Sequence, residues 1–438
     1  MAGEWQPHQL GELLEIKHGF AFEGRFFRNE PVGPILVTPG NFRIGGGFSS
    51  EKNRYFVGPV PDGYRLEAGD VIVTMTDLSK AGDTLGYSAV IPRDGNCYLH
   101  NQRIGKLVLK PEAPTNPSYV HWVMRSPSYR AEVLGSATGS TVRHTSPSRI
   151  AAFSFPLPPC SEQDAITGLL GALDDKIELN RRMAETLEAM ARALFRSWFV
   201  DFDPVRAKAE GCPTGLPDDL AALFPDRLGD DGLPAGWRIE PLLMHAKLIS
   251  GGTPKTDISE YWDGAVPWAS AKDVSQCPDL FLMTTERTIT NLGLDNSATR
   301  IVPKLSTVVV ARGATTGRFR IFGHDMAMNQ TCYALQSRSR RPFWLVTAFG
   351  ELVGPLLHTA HGSVFDTITT TTLTSARVMA GGERLLDVFE KTVSSLYRRI
   401  LENCEQSHTL TALRDTLLPK LISGELRIAD AEKRMSAA

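Results

Sequence analysis

The chain has 438 residues, 42% of them hydrophobic and 22% charged, with a formal net charge of −2 at neutral pH. That length exceeds what one hydrophobic core serves, so two or more globular domains are expected. No apolar run approaches a membrane span, Met1-Ala2-Gly3-Glu4 does not open a signal peptide, and the six cysteines are scattered without a CxxC pair. Reduced thiols in a cytoplasm are expected, with no disulfide framework and no zinc site.

The charge is unevenly spread. Residues 1–159 hold 16 Lys+Arg against 14 Asp+Glu, and residues 237–382 hold 14 against 11. Residues 160–236 hold 8 against 15, while 383–438 balance at 9 and 9. Two mildly basic regions are thus separated by an acidic one, a distribution that permits nucleic-acid binding without requiring it.

In chain order, Trp5 leads an apolar run to Gly19, and short β-branched runs follow at Val71-Ile72-Val73-Thr74-Met75 and Tyr87-Ser88-Ala89-Val90-Ile91. Between them lies a loop carrying Lys80, Gly82 and Thr84. Asn101-Gln102 opens a further strand, and its amides are expected to organise backbone hydrogen bonds rather than read bases. A helix is expected from Tyr119 to Tyr129 after an Asn116-Pro117 turn, and Gly139-Ser140-Thr141 closes the region with Arg143 beyond it.

Pro158-Pro159 then blocks helix, and Ser161 with Asp164 offers an N-cap and an acidic first turn. From there Ile166, Leu170, Leu173, Ile177, Asn180, Ala184, Leu187, Ala191, Leu194 and Trp198 are spaced 4-3-4-3, a coiled-coil seam. A helix of about 39 residues spans roughly 58 Å. Residues 204–236, rich in Gly, Pro and Asp, read as a linker with room to return along that rod.

The second half echoes the first at offsets of roughly 223 to 232 residues. Trp237 leads a run to Gly251-Gly252, with Lys255 beyond it. Thr307-Val308-Val309-Val310-Ala311 and Arg318-Phe319-Arg320-Ile321-Phe322 flank the loop Arg312-Gly313-Ala314-Thr315-Thr316-Gly317-Arg318. Asn329-Gln330 answers Asn101-Gln102, and Gly362-Ser363-Val364 answers Gly139-Ser140-Thr141. Arg338, Arg340 and Arg341 make a basic cluster that also suits a solvated turn, and the threonines of 369–372 suit either a groove lining or a strand. A second seam runs Phe389, Val393, Leu396, Ile400, Asn403, Ser407, Leu410, Arg414, Leu417 and Leu421, weakened by Ser407 and Arg414. Asn180 and Asn403 share one heptad place, where a buried amide can fix register. Antiparallel pairing of the two helices within one chain, about a pseudo-twofold axis, is expected, with residues near 170 and 400 close together.

Apparent catalytic fragments fall short. Asn116-Pro117-Ser118-Tyr119 lacks the second proline of the N-P-P-Y amino-methyltransferase signature, and no glycine-rich cofactor loop precedes it. Neither the 313–317 loop nor the 135–141 stretch carries the Gly-Lys-Ser/Thr of a phosphate loop, and no histidine pair has ligand spacing. Basic, hydroxyl-bearing loops between strands suit phosphates and base edges instead. The DNA-contact candidates are Lys80, Thr84 and Arg143 in the first copy, and Lys255, Arg312, Thr315, Thr316 and Arg318 in the second.

Several stretches together resemble the specificity subunits of type I restriction–modification enzymes: Ala235-Gly236-Trp237, the strand before Arg312-Gly313-Ala314, Met328-Asn329-Gln330, and Leu157-Pro158-Pro159 leading to Ser161-Glu162-Gln163. Leu194-Phe195-Arg196-Ser197-Trp198-Phe199-Val200-Asp201-Phe202-Asp203-Pro204 is the most characteristic. The resemblance spans the chain, with two departures: Gly381-Gly382-Glu383 replaces the Pro-Pro entry in the second copy, and the N-terminal copy has only Gly3-Glu4-Trp5 at its start. It implies an α+β protein of two target-recognition domains with mixed sheets, separated by two long spacer helices. The expected boundaries are 1–157 and 237–382 for the domains, 158–203 and 383–426 for the helices, 204–236 for the linker and 427–438 for a tail. The resemblance further implies binding of a bipartite, asymmetric DNA target without chemistry in this chain. Partners would be two modification subunits using S-adenosylmethionine to methylate adenine, and restriction subunits using ATP and Mg. Residues 194–202, taken as exposed, and the acidic linker are expected to meet the modification subunits. A self-contained methyltransferase or nuclease, or a two-headed scaffold that does not bind DNA, are the alternatives.

Overall fold

The structure, a computed structural model, describes residues 5–359 and 367–428. The chain divides into two compact units, Met1–Asp175 with Leu410–Ala438, and Lys176–Thr409. Both long helices, Cys160–Phe199 and Glu383–Ser423, run through the boundary.

Each unit is built on the same sheet. In the first, Leu14–His18, Ile104–Leu109, Val71–Thr74 and Ser88–Val90 lie side by side in that order. In the second, Ala246–Ser250, Cys332–Ser337, Thr307–Val310 and Phe319–Phe322 repeat the order, with Phe281–Leu282 added at the edge. The runs Val71–Thr74 and Thr307–Val310 are buried along their whole length, which explains why they read as continuous β-branched stretches rather than alternating ones. A parallel pair also recurs: Tyr98–His100 beside Ile35–Val37 in the first unit, and the end of Trp262–Ala269 beside Ala327–Met328 in the second. Gly19 and Gly251 are explained by close approach. A Cβ on either would stand 2.2 or 1.8 Å from the carbonyl oxygen of Asn101 or Asn329. The echoed residues therefore touch each other in both copies.

The 4-3-4-3 seam is buried on the first long helix at Ile166, Leu170, Leu173, Asn180, Ala184, Ala191 and Trp198. Ile177, Leu187 and Leu194 are partly covered. On the second helix Phe389, Val393, Ile400, Asn403, Leu417 and Leu421 are buried, and Leu396 and Leu410 partly so. Pairing in the second unit is antiparallel: Asn180 donates to Gln406 Oε1 and Ser407 Oγ at 2.9 and 3.3 Å, while Phe195, Trp198 and Phe199 pack on Phe389. Partner numbers thus fall on one helix as they rise on the other. In the first unit Asp174 meets Arg414 by the same rule. Ser407 and Arg414, the weak points of the second seam, are the partners of Asn180 and Asp174. In this register Leu170 shares a core with Leu417 and Leu421, and Ile400 shares one with Ala184 and Ala191, so the two expected neighbours belong to different units.

Several other expectations are corrected. Phe195, Trp198, Phe199 and Phe202 are not exposed but buried with Phe224, Trp237 and Phe389. The 204–236 stretch does not run back along the helix; Val205 and Phe224 belong to that same core, and two short helices, Asp203–Ala209 and Asp218–Ala221, shape it. The helix expected from Tyr119 to Tyr129 is two, Pro117–Val123 and Pro127–Ser136, because Pro127 lacks the amide needed for continuation and Ser126 caps the second. Thr369 caps a helix, Thr370–Ser375, rather than lying in a strand. Gly362-Ser363-Val364 lies outside the described residues.

In each unit a domain helix is tied at its start to a long helix. Asn116, the cap of Pro117–Val123, donates to Asp164, and Gln163 accepts from the Thr115 hydroxyl while donating to the Pro114 and Pro158 carbonyls. In the second unit Glu390 accepts the Phe343 and Trp344 amides at the start of Pro342–Thr359. Arg341 there is buried and bonded to Asp387 and Glu383, so it is no solvated cluster. The tightest tie is in the first unit. The Arg125 side chain, 2% exposed, donates to Asp174 and to the Gly45 carbonyl and lies over Trp122, while Arg414 reaches the other Asp174 oxygen at 2.6 Å.

Burial alone would raise the Asp174 pKa, but Arg125 and Arg414 outweigh it and hold the carboxyl below its ordinary value. A lowered folded pKa gives stability that is present above the unfolded value and lost as pH falls through the folded one. Asp174→Asn is therefore expected to cost about 3 kcal/mol at pH 7 and to flatten the acid limb of the stability curve, read by urea unfolding at pH 7 and pH 3. Glu390 behaves oppositely. Burial raises it to about 7 against the hydrogen bonds it accepts. The stability its neutral form gives is complete below about 4.5 and is lost as pH rises through about 7. Glu390→Gln is expected to raise the thermal midpoint at pH 8 relative to pH 5, compared with the parent protein; an unchanged difference between the two pH values would contradict the assignment.

Candidate nucleic-acid interface

The two loops singled out in the sequence occupy the same place in the two sheets, after the buried central strand and before the next. In the first unit the loop is organised by Asp77. Its carboxylate accepts the Ser79 amide at 2.6 Å, the Thr84 hydroxyl at 2.7 Å and the Thr84 amide. Burial would raise its pKa, but these donors prevail and keep it below the ordinary value, as a buried anion. The strand pair Thr76–Asp77 and Arg143–His144 brings the distant 143 segment alongside, and Arg143 Nε donates to the Lys80 carbonyl at 3.2 Å. Lys80, Thr84 and Arg143 therefore form one cluster. Lys80 is exposed, Arg143 is half-buried, and the Thr84 hydroxyl is turned inward onto Asp77.

In the second unit the hairpin is closed by Gly317 N donating to the Val310 carbonyl and Val310 N to the Arg318 carbonyl. Thr316 donates its hydroxyl to the Gly313 carbonyl at 2.7 Å. Arg312, Thr315 and Arg318 are exposed around this tip. Gly86 and Gly317 end the two loops alike: both have φ near +80°, and a Cβ on either would stand 2.6 Å from Val133 or Leu357. Lys255 is exposed on a separate loop, its carbonyl accepting the Trp262 indole N–H.

Two hydroxyl-bearing loops on matching sheets, one carrying Lys80 and the other flanked by Arg312 and Arg318, meet a clear set of relatives. The family model described as "Type I restriction modification DNA specificity domain" matches residues 2–189 and 245–379. The chain belongs to this family. It confers DNA specificity on a type I restriction–modification enzyme and is not itself the catalytic part. The specificity subunit of the HindI enzyme of Haemophilus influenzae is 26% identical over 404 residues, covering 79% of this chain and 87% of its own. That of the MjaIX enzyme of Methanocaldococcus jannaschii is 22% identical over 352 residues, covering 79% and 76%. Among solved structures, a type I S subunit from M. genitalium shares the fold with a TM-score of 0.55, 15% identity, and 96% and 97% coverage.

For a specificity subunit the decoy motifs resolve simply. Asn116 is engaged on both sides of its amide, accepting the Tyr119 amide at 2.7 Å and donating to Asp164 at 2.8 Å, and Tyr119 is fully buried. No amide is left there to hold a base. Asn101 and Asn329 accept the backbone amides two residues on, at 3.0 and 3.2 Å, as organisers of their turns. Among the described residues no group of His, Cys, Asp or Glu is placed to hold a metal ion, and no helix is long and apolar enough to cross a membrane.

The sequence signals singled out above did not include Asp77. The signal for Asp77 was present, since Asp-x-Ser forms a turn in which the carboxylate caps the amide two residues on. Asp77→Ala is expected to release the loop, leaving the Thr84 and Ser79 amides without their acceptor at a cost of about 1–3 kcal/mol. Limited proteolysis should then cut within residues 78–86, where the parent chain resists; equal resistance would show that Asp77 does not hold the loop.

Proposed function

We propose that this chain reads a bipartite, asymmetric duplex sequence, one half with each unit. The recognition domains are residues 1–157 and 237–382, and the helices 158–203 and 383–426 act as spacers. The stretch 204–236 connects them and 427–438 forms a tail. The observation that carries this reading is the pair of loops at one topological place with different chemistry. The first offers Lys80 and Arg143 on a carboxylate-anchored turn, the second Arg312, Thr315 and Arg318 on a hairpin. Lysine serves phosphates as a point charge, whereas arginine forks suit guanine edges in the major groove. Thr84 and Thr316 support loop shape, and Lys255 adds phosphate affinity.

In this reading the chain docks two modification subunits, which use S-adenosylmethionine to methylate adenine, and restriction subunits that use ATP and Mg, all in the cytoplasm. It holds no cofactor of its own. With Phe195, Trp198, Phe199 and Phe202 buried in the protein's own core, contacts with the modification subunits fall to outward residues of the first long helix and linker. These include Leu179 and Met190, each 52% exposed, and Asp201, Asp218 and Asp219.

Mapping methylated adenines in a genome carrying the system is expected to show a bipartite motif with a fixed gap. Replacing Arg312 and Arg318 by Ala should relax the half read by the second unit and leave the other unchanged. Lys80→Ala should weaken binding to all sequences and lower the slope of log K against log salt by about 1. A continuous motif, or loss spread evenly over both halves from Arg312 and Arg318, would overturn the two-reader assignment.

A further inference from the structure

The first-unit loop turns nearly all its polar groups inward. Asp77 takes the Ser79 and Thr84 donors, Ser79 Oγ accepts the Asp83 amide at 2.8 Å, and the Lys80 and Gly82 carbonyls accept from Arg143 and Arg130. Beyond the small Ala81, two side chains face water at the turn itself: the Lys80 ammonium, and Leu78, which is 65% exposed. Leu78 stands at the centre of the Asp77–Ser79 turn, so its backbone is fixed by a buried anion rather than free to fold the side chain away. Leaving a leucine in water forgoes the gain of burying it. The hairpin at the same place in the second unit carries Ala314 and Thr315 at its tip, so a large apolar side chain is not common to the two loops.

A leucine side chain has no donor or acceptor, so it cannot read hydrogen-bonding edges. In the major groove the apolar group on a base edge is the 5-methyl of thymine. Ser79 beside Leu78 is half-buried and Asp77 is buried, so Leu78 is the single large apolar side chain that projects at this turn. That shape suits contact at a groove edge rather than insertion between stacked bases. We propose that Leu78 is a specificity-determining residue that packs on the 5-methyl group of a thymine in the half-site read by the first unit. It selects T·A over C·G at that position, with Lys80 holding a neighbouring phosphate. The inference rests on the reading of this loop as DNA-facing.

The test uses the assembled methylating complex and a duplex bearing its mapped site, with each thymine of the first half-site replaced in turn by deoxyuridine. At one position, loss of the methyl group should weaken wild-type binding about four-fold, the worth of one buried methyl-sized group. Leu78→Ala should bind the thymine duplex with a similar loss, and the same deoxyuridine should then cost nothing more. Leu78→Ser repeats the comparison with a polar side chain, and thermal midpoints check that both variants fold. A half-site without thymine overturns the proposal, and so do losses from Leu78→Ala and deoxyuridine that multiply at every position. Equal weakening on all duplexes with altered bending would assign Leu78 as an inserted wedge, which also overturns it. The Lys80→Ala complex separates the two levels of failure. If it loses affinity and salt dependence while no thymine couples to Leu78, only this proposal falls. If Lys80 and Leu78 variants both bind and discriminate as wild type does, the loop is not DNA-facing and the underlying reading falls with it.

Discussion

Asp174 lies on the first long helix between two arginines drawn from distant parts of the chain. Arg125 comes from the corner between the two helices of the first domain, and Arg414 from the second long helix. A buried guanidinium without its carboxylate is strongly unfavourable, so the three groups are present together or the junction does not form. One carboxylate thereby fixes the domain to the helix and sets the register of the helix pair. Arg125 also bonds the Gly45 carbonyl, and His121 beside it stays neutral, its pKa pushed by burial to about 3. The constraint therefore reaches from the spacer into the body of the domain.

The second unit meets the same demand with different groups. Glu390 and Asp387 receive the first amides of Pro342–Thr359 and the Arg341 guanidinium, and the Tyr397 hydroxyl meets that of Thr347 at 2.7 Å. Around them Phe195, Trp198, Phe199 and Phe389 form edge-on and tilted contacts that extend to Phe224 and Trp237. Both domains are seated on the long helices by apolar burial, to which the first adds the Arg125–Asp174–Arg414 triad and the second the bonds of Arg341 and Glu390. In both, the loop proposed to face DNA ends in a glycine against a domain helix, Gly86 on Val133 and Gly317 on Leu357. In the second unit that helix is the one tied to the spacer, and in the first it is Pro127–Ser136, which follows the tied helix Pro117–Val123. Reading a base edge requires rigidity, because a contact held a fraction of an ångström loosely does not discriminate.

Much of this was legible in the chain itself. The seam from Ile166 to Trp198 could be read because helix periodicity is local and the burial it implies is nearly independent of the partner. The strands 71–75 and 307–311 were legible for the same reason, as β-branched runs buried on both faces. The echo at fixed offsets identified the two-fold construction, and even the contact between Gly19 and Asn101 was present as a pair of repeated signals. Residues 194–202 were misplaced because an aromatic run looks alike whether it forms a docking surface or a core. The choice depended on Phe224 and Trp237, which the linker brings back over it. The 204–236 stretch was misread for the same cause, since its Gly and Pro content describes turns and not what the turns pack against.

The sequence by itself determined the repeat, and with it the helical seam, the strand runs and the two matching loops, each of which depends on residues close together along the chain. Only the tertiary structure decided which polar groups answer one another. Ser407 and Arg414 looked like faults in a coiled coil until Asn180 and Asp174 were found opposite them. Likewise Lys80 and Arg143 were separate candidates until one strand pair made them neighbours. The reason is physical: a buried charge or amide is tolerable only with a partner, and the partner's identity is a matter of distance in space, which spacing along the chain does not encode.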